Sequence, residues 1–276
     1  MRFRFGVVST TLFAAVGCAL AARFVRLTPP ETAATQVCPQ LAAISTGGTR
    51  VVDLTYAISA KLPSWPGDDR VFETRVVATP QKDGYFARSF WTLEHYGTHM
   101  DAPAHFPPGK TTLDKIPTTH FFGPAVVIDV RKESAQNPDY RLAVDRIKTW
   151  EAANGRIPPG TIVLLRTGWA SRWPNQKLYR NMDANGVMHF PGYSVESANF
   201  LIARGVVGLG IDTLSIDYGA SKNFEVHRVD LPRGLYNLEN LANLDQLPPA
   251  GAFMIAAPIK LEGGSGGPTR VFAILP

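Results

Sequence analysis

The sequence predicts a mixed α/β domain, because segments typical of strands alternate along the chain with segments typical of helices. PAVVIDV (residues 124–130) and TIVLLRT (residues 161–167) are continuously apolar, as strands buried on both faces are. SVESANFLIARG (residues 194–205) instead has apolar residues at helical spacing, and Ser194 is placed to cap its N-terminus. This alternation predicts a layered domain in which helices pack on a sheet.

The first elements of this domain are predicted to be strands. TRVVDLTYAIS (residues 49–59), VFETRVVAT (residues 71–79) and FARSFWTLEHY (residues 86–96) are rich in β-branched and aromatic residues. Turn-rich segments separate them, so that each should be a strand of its own.

The remaining elements interleave. In chain order we expect a helix over residues 142–154, a strand over 206–212, a short helix over 238–247, and a strand pair over 252–261 and 269–275. GGSGG (residues 263–267) lacks the Gly-Lys-Ser/Thr ending of a phosphate loop and precedes a strand, so it predicts a flexible hairpin connection.

The N-terminus differs in composition from the rest of the chain. Arg2 and Arg4 precede an uncharged apolar run that ends in small residues near Ala22, which is the layout of a secretory signal peptide. The run is shorter than the ~20 apolar residues of a membrane-spanning helix, which disfavours an uncleaved anchor. A lipid-modified Cys18 is also disfavoured, because Ala15 is not the large aliphatic residue expected three positions earlier. Sequencing the N-terminus of the mature protein would locate the cut.

We therefore expect a signal peptide over residues 1–22, a Pro-, Ala- and Thr-rich linker over 23–48, one folded domain over 49–276, and export to the periplasm or medium. Cleavage would leave Cys38 as the remaining cysteine, so no intrachain disulfide is expected. The net charge is +5, with basic residues scattered along the chain. This pattern disfavours nucleic acid as a partner, and beyond the targeting signal it predicts no membrane contact.

Three of the six histidines lie in HYGTHMDAPAHF, residues 95–106. On a straight strand His95 and His99 would be roughly 13 Å apart, too far to share an ion. Gly97 can adopt the conformations of a bend, and Pro103 favours an extended residue before it. The spacing thus predicts a curved loop that aims four side chains inward: His95, His99, Asp101 and His105. Imidazole and carboxylate groups are ligands for zinc, manganese or iron.

A second polar segment follows a predicted strand. It contains Asp212 and Asp217 in GIDTLSIDYG, and then His227 and Glu239. Strand ends in α/β folds commonly face the functional site. Each residue also has a structural interpretation when taken alone, as a turn acceptor, cap or surface group. The two other histidines, His120 and His189, have no neighbouring ligands in the sequence and are interpreted as structural.

HYGTHMDAPAHF resembles the HxGTHxDxPxHF signature of the cyclase family of metal-dependent hydrolases, which includes bacterial kynurenine formamidase (an arylformamidase) and isatin hydrolase. The resemblance extends to PSWPGD (residues 63–68), to GIDTLSID (residues 210–217) and to the spacing from His227 to Glu239. It covers the chain from about residue 50 to the C-terminus. It implies a swivelling β/β/α domain with a compact barrel-like mixed sheet, assembled as a dimer or tetramer.

The resemblance also implies residue roles. His95, His99 and Asp101 would bind a first divalent ion, with Asp101 bridging to a second ion held by His227 and Glu239. Glu239 would touch both ions. One or two zinc or manganese ions per subunit are expected.

The implied reaction is hydrolysis of an amide-type bond, in an aryl formamide or a cyclic amide, by metal-activated water. His105 would carry the proton between water and leaving group. Trp65 would contact this small-molecule amide substrate. Two alternatives stay open: a non-haem iron oxygenase, since His99-x-Asp101 can begin a 2-His-1-carboxylate triad, and a secreted metal-binding protein without enzymatic activity.

Overall fold

The structure, a computed structural model, describes residues 39–68 and 70–276, of which residues 40–276 form one unit. Its strands in chain order are β1 (Val51–Asp53), β2 (Phe72–Ala78), β3 (Ala87–Thr92), β4 (His99–Asp101), β5 (Phe122–Asp129), β6 (Arg141–Leu142), β7 (Ile162–Arg166), β8 (Gly192–Tyr193), β9 (Gly208–Ile211), β10 (Tyr236–Glu239), β11 (Ala252–Pro258) and β12 (Gly266–Ile274). Its α-helices are α1 (Pro39–Ser45), α2 (Pro80–Asp83), α3 (Arg131–Gln136), α4 (Val144–Asn154), α5 (Gln176–Arg180), α6 (Val195–Ile202) and α7 (His227–Asp230).

Seven strands close into a barrel-like mixed sheet in the order β12-β11-β5-β7-β9-β10-β4, and β4 pairs again with β12. The pairs β5–β7, β7–β9 and β9–β10 are parallel, and the other pairs of the ring are antiparallel. Strand β1 pairs with the C-terminal end of β12, whose N-terminal end pairs with β4. The predicted α/β class with a compact barrel-like sheet is therefore confirmed.

Strand β7 shows why a continuous apolar run predicts a strand with two buried faces. Ile162 and Leu164 pack in the cluster to which strands around the closed sheet contribute. Val163 and Leu165 point the other way, into a second cluster that includes Ile147 of α4 and side chains of α6. Successive side chains of a strand face opposite sides, so only an unbroken apolar sequence fills both layers.

Several local predictions are confirmed. Helices α4 and α6 lie within the predicted segments, and the Ser194 hydroxyl accepts a hydrogen bond from the backbone N–H of Ser197, 3.0 Å away, as part of a capping box. The final pair β11–β12 is antiparallel. GGSGG lies in its connection and runs into β12, although Ser265 within it is held by hydrogen bonds.

The short helix predicted over residues 238–247 is wrong. Strand β10 occupies the start of this segment, because its backbone pairs with β9 on one side and β4 on the other. Asn240 and Asn243 then adopt left-handed conformations, with φ of +55° and +56°, which an α-helix does not accommodate. Leu244–Gln246 form only a 3₁₀ turn.

The predicted signal peptide lies outside the described residues and stays a prediction. The described end of the predicted linker contains α1, which was not expected. Strands β2 and β3 form a separate two-stranded sheet rather than joining the barrel. Within the ranges 39–68 and 70–276, no helix combines the length and the apolar character that crossing a membrane requires.

Candidate active site

The segment from His95 to Asp101 bends where the sequence predicts. Gly97 has φ of +66°, a left-handed conformation that glycine adopts at little cost. After this turn, His99 and Asp101 lie on β4. The rings of His95 and His99 meet edge to face, with centroids 5.3 Å apart. The bend therefore brings the rings of His95 and His99 into contact, whereas a straight strand would hold the two residues roughly 13 Å apart.

Strand β10 brings a second carboxylate to the same place. Its antiparallel register with β4 sets Glu239 opposite His99. The His99 Nε2 atom lies 3.3 Å from Asp101 Oδ1 and 3.4 Å from Glu239 Oε2. The carboxylates of Asp101 and Glu239 thus face the same ring nitrogen.

His227 approaches the two carboxylates from the opposite side. Its Nε2 atom lies 3.3 Å from Asp101 Oδ2 and 3.3 Å from Glu239 Oε1. Each carboxylate therefore presents one oxygen toward His99 and its other oxygen toward His227. Residues that could hold a metal form two groups, His95–His99–Asp101 and Asp101–His227–Glu239, with ligand atoms of each group within 4.8 Å of one another.

Hydrogen bonds behind the rings fix their orientation. The Nδ1 atom of His99 lies 2.9 Å from the carbonyl oxygen of Gly97, which also accepts from the Asn240 side chain. The Nδ1 atom of His227 lies 2.6 Å from Asp217 Oδ2. Both rings accordingly turn Nε2 toward the carboxylates, the arrangement seen when an outer partner orients a metal-binding histidine.

The electrostatics of this cluster favour bound positive charge. Burial alone lowers the pKa of His99, but hydrogen bonds to Asp101 and Glu239 outweigh it and raise that pKa to about 10. The pKa of His227 is raised well above its usual value against the same burial penalty, by Asp101, Asp217 and Glu239. Two buried carboxylates require compensating cations. A divalent ion among imidazole and carboxylate groups meets that requirement, and the donor set fits one.

His105 stands beside the cluster rather than inside it. Its ring stacks on His95 at a centroid distance of 3.9 Å and meets Phe106 edge on at 4.6 Å. Burial lowers its pKa to about 4, so the ring is neutral near pH 7. Among the described residues none hydrogen-bonds to this ring.

A cavity of about 490 Å³ opens over the cluster, lined by His95, His99, His105, His227 and Glu239 together with apolar side chains. The aromatic part of its wall consists of Trp65, Phe106 and Phe224. Trp65 thus lies where a substrate contact was predicted. Arg180 donates to the carbonyl oxygens of Ser64 and Trp65, at 2.6 and 2.9 Å, and so anchors this segment of the wall.

Other polar residues singled out in the sequence lie outside the cluster. Asp212 accepts hydrogen bonds from the backbone of Thr167 and Gly168 and is structural. His189 lies 2.8 Å from Asp139 Oδ2, a partner that sequence spacing does not reveal. His120 lies in a 3₁₀ turn, away from the cavity.

Several residues of the site are not predicted from the sequence, among them Glu94, Phe224, Asn240 and Ser265. Phe224 has φ of +53°, a strained conformation for a non-glycine residue of the kind found at functional sites, but backbone strain leaves no mark in a sequence. Asn240 directly follows Glu239, and that adjacency was the one available signal.

Comparisons with known proteins agree with this geometry. A family model described as "Putative cyclase" matches residues 52–218. Isatin hydrolase from Roseibium aggregatum is 34% identical over 251 residues, covering 85% of this chain and 95% of that protein. Kynurenine formamidase from Paracidovorax citrulli is 30% identical over 223 residues, covering 79% and 93%. The structure of isatin hydrolase A from Ralstonia solanacearum superposes with a TM-score of 0.80 at 36% identity, covering 86% of this chain and 95% of that one.

The chain therefore belongs to the cyclase family. It is an enzyme, and the predicted class of metal-dependent hydrolase acting on amide-type bonds is confirmed by these relatives. The alternatives of an iron oxygenase and a non-enzymatic metal-binding protein gain no support from them.

Proposed function

We propose that the protein hydrolyses the amide C–N bond of a neutral aromatic cyclic amide, a lactam of the isatin type, at one or two zinc or manganese ions. His95, His99 and Asp101 would hold one ion, and Asp101, His227 and Glu239 the other. The carrying observation is that this buried cluster lies in an aromatic-walled cavity whose described lining residues include no lysine or arginine.

The charges of the cavity support a neutral substrate. Besides the cluster itself, the acidic residues Asp68 and Glu94 line it. Away from the cluster, a substrate carboxylate would find no lysine or arginine among the described lining residues and would face these carboxylates instead. A flat uncharged ring can pack against Trp65, Phe106 and Phe224, as apolar ligands do in cavities of this size.

The cluster, His105 and the aromatic wall would each have a separate role in the reaction. An ion held by this cluster would supply Lewis acidity at the amide carbonyl and would activate water for attack. His105, neutral and not required for the cluster, is placed to take the proton of the attacking water and return it to the leaving nitrogen. The aromatic wall excludes bulk water and orients the plane of the amide.

A substrate panel tests the proposal. The purified protein loaded with Zn²⁺ or Mn²⁺ should open the isatin ring. It should hydrolyse a neutral aryl formamide more slowly, and an aryl formamide that bears a free carboxylate more slowly still. Each carboxylate–carboxylate contact in a water-poor cavity should cost about tenfold or more in kcat/KM. Faster turnover of the carboxylate-bearing formamide would contradict the assigned substrate class, and no metal-dependent turnover of any amide would contradict the proposal itself.

We also propose that the chain forms a homo-oligomer through the separate β2–β3 sheet. A two-stranded sheet is marginal in water unless it packs against another surface. Phe90 lies opposite Thr74, and Val76 is two positions after Thr74 on the same strand, so the side chains of Phe90 and Val76 lie on the same face of the sheet. The two residues are 63% and 52% exposed. Contiguous exposed apolar side chains of this kind mark interfaces.

Sedimentation velocity measures the assembly state. Wild-type protein should sediment as a dimer or tetramer at micromolar concentration, and Phe90→Glu should shift it toward the monomer. Ile259→Glu is the matched control, an exposed apolar position (46%) outside β2 and β3. A monomeric wild type, or equal assembly in Phe90→Glu with its circular dichroism unchanged, would refute this interface.

A further inference from the structure

Glu94 forms a compact set of hydrogen bonds with the glycine-rich connection that precedes β12. Its Oε2 atom accepts from the backbone N–H of Ser265 at 2.8 Å, from the Ser265 hydroxyl at 2.6 Å and from the N–H of Gly266 at 3.2 Å. Three donors on one oxygen hold the carboxylate and the connection together. The GGSGG segment, whose sequence does not match a phosphate loop, is thus anchored next to the group of potential metal ligands.

The hydroxyl of Ser265 links this anchor to His95. It lies 2.9 Å from His95 Nε2. A serine hydroxyl has one proton, and the carboxylate of Glu94 can only accept. The proton of Ser265 therefore points to Glu94, and its lone pair faces His95. It follows that His95 Nε2 carries a proton and donates it to Ser265.

The other ring nitrogen of His95 is then the one that faces a cation. Nδ1 lies 2.6 Å from Asp101 Oδ1. With the Nε2 proton donated to Ser265, Nδ1 is the ring nitrogen that faces the carboxylate oxygen, and a cation held between these two atoms would bind both of them. His95 thus faces the cluster through Nδ1, whereas His99 and His227 face it through Nε2.

Glycine at position 266 leaves the space that the His95 ring occupies. A Cβ atom at this position would overlap Cε1 of His95 and would lie 2.7 Å from the carbonyl oxygen of Met100. Any larger residue would push the ring away from Asp101 or the connection away from Glu94. The backbone and the two side chains therefore enforce a single placement of His95.

We propose that Glu94 and Ser265 are positioning residues that fix His95 as its Nε2–H tautomer and so present its Nδ1 to the metal ion. This inference rests on the proposed function, in which His95 is a ligand. In this role Glu94 and Ser265 act through the His95 ring and not by binding the ion, although Glu94 also lines the cavity. Their effect reaches the reaction through the affinity of the site for its ion.

Metal affinity is the direct readout. Competition of Zn²⁺ between the protein and a chromophoric chelator should show Ser265→Ala binding about 10–100-fold more weakly than wild type, the usual effect of removing an outer hydrogen-bond partner of a ligand. Glu94→Gln should weaken binding similarly. The double variant should be no weaker than the worse single one, because both changes break the same chain. Ser171→Ala, which removes an exposed hydroxyl bonded to the Gly168 carbonyl, is the control.

Nitrogen-15 NMR of protein loaded with NMR-active cadmium identifies the binding atom separately. Metal–nitrogen coupling is expected at Nδ1 for His95 and at Nε2 for His99, and coupling at His95 Nε2 would overturn the inference. Unchanged Zn²⁺ affinity in Ser265→Ala, or additive losses in the double variant, would also overturn it while leaving the proposed function intact. A wild-type protein that binds no ion would overturn both.

Discussion

His105→Ala is expected to lower kcat by about 10²–10⁴-fold, the range for losing a general acid–base, while the ions stay bound. The ring lines the cavity and stacks on His95, but it belongs to neither group of potential ligands. Burial lowers its pKa, so the ring is neutral near pH 7 and a ring nitrogen lone pair is free to face the attacking water. Turnover, bound metal and melting temperature should be measured on the same preparation.

His105 ends a 3₁₀ turn, Pro103–His105. The control for this variant is His120→Ala, which removes a histidine from a second 3₁₀ turn, one that does not line the cavity. It should keep full turnover. A structural role for His105 would instead reduce stability and activity together, or release the ions with the activity. Either result, or unchanged turnover, would remove His105 from the mechanism.

His99→Ala is expected to lose at least one ion per chain on dialysis and to have turnover near background. The His99 ring faces both carboxylates and is 3% exposed, so its removal deletes a donor from the buried centre of the cluster. Elemental analysis gives the ion content. Melting curves with added Zn²⁺ provide a second measure, because an ion at 100 times its Kd stabilises the fold by about 2.7 kcal/mol.

For His99→Ala the matched control is His189→Ala, which removes a histidine paired with Asp139 outside the cavity. This variant should keep both its ion content and the zinc-dependent rise in melting temperature. If His99→Ala retained the ion content of wild type, His99 would not be a ligand. Circular dichroism of the metal-free variants separates loss of the ion from loss of the fold.

Sequence predicted those features of the site whose causes are local. The bend at Gly97 follows from a glycine between two histidines, and the buried run of β7 follows from its unbroken apolar composition. The α6 cap follows from Ser194. In each case the residues that determine the structure lie within a few positions of one another.

The features that were missed depend on long-range pairing. Glu94 and Ser265 are 171 positions apart, and nothing in the composition near either residue indicates the other. The apolar spacing of residues 238–247 predicts a helix, but the start of this segment is strand β10, which pairs with β9 and β4. Apolar spacing in a short run does not reveal such pairing. Both the Glu94–Ser265 contact and strand β10 depend on pairing between distant parts of the chain.

Closure of the barrel bears on how rigidly the proposed donors are held. Strand β4, which carries His99 and Asp101, is held on one side by β10 and on the other by β12. All three of its residues pair on both sides, so the strand can shift only if hydrogen bonds to a neighbouring strand break. The fixed spacing of these two side chains is therefore a property of the closed ring of strands and not of a three-residue strand by itself.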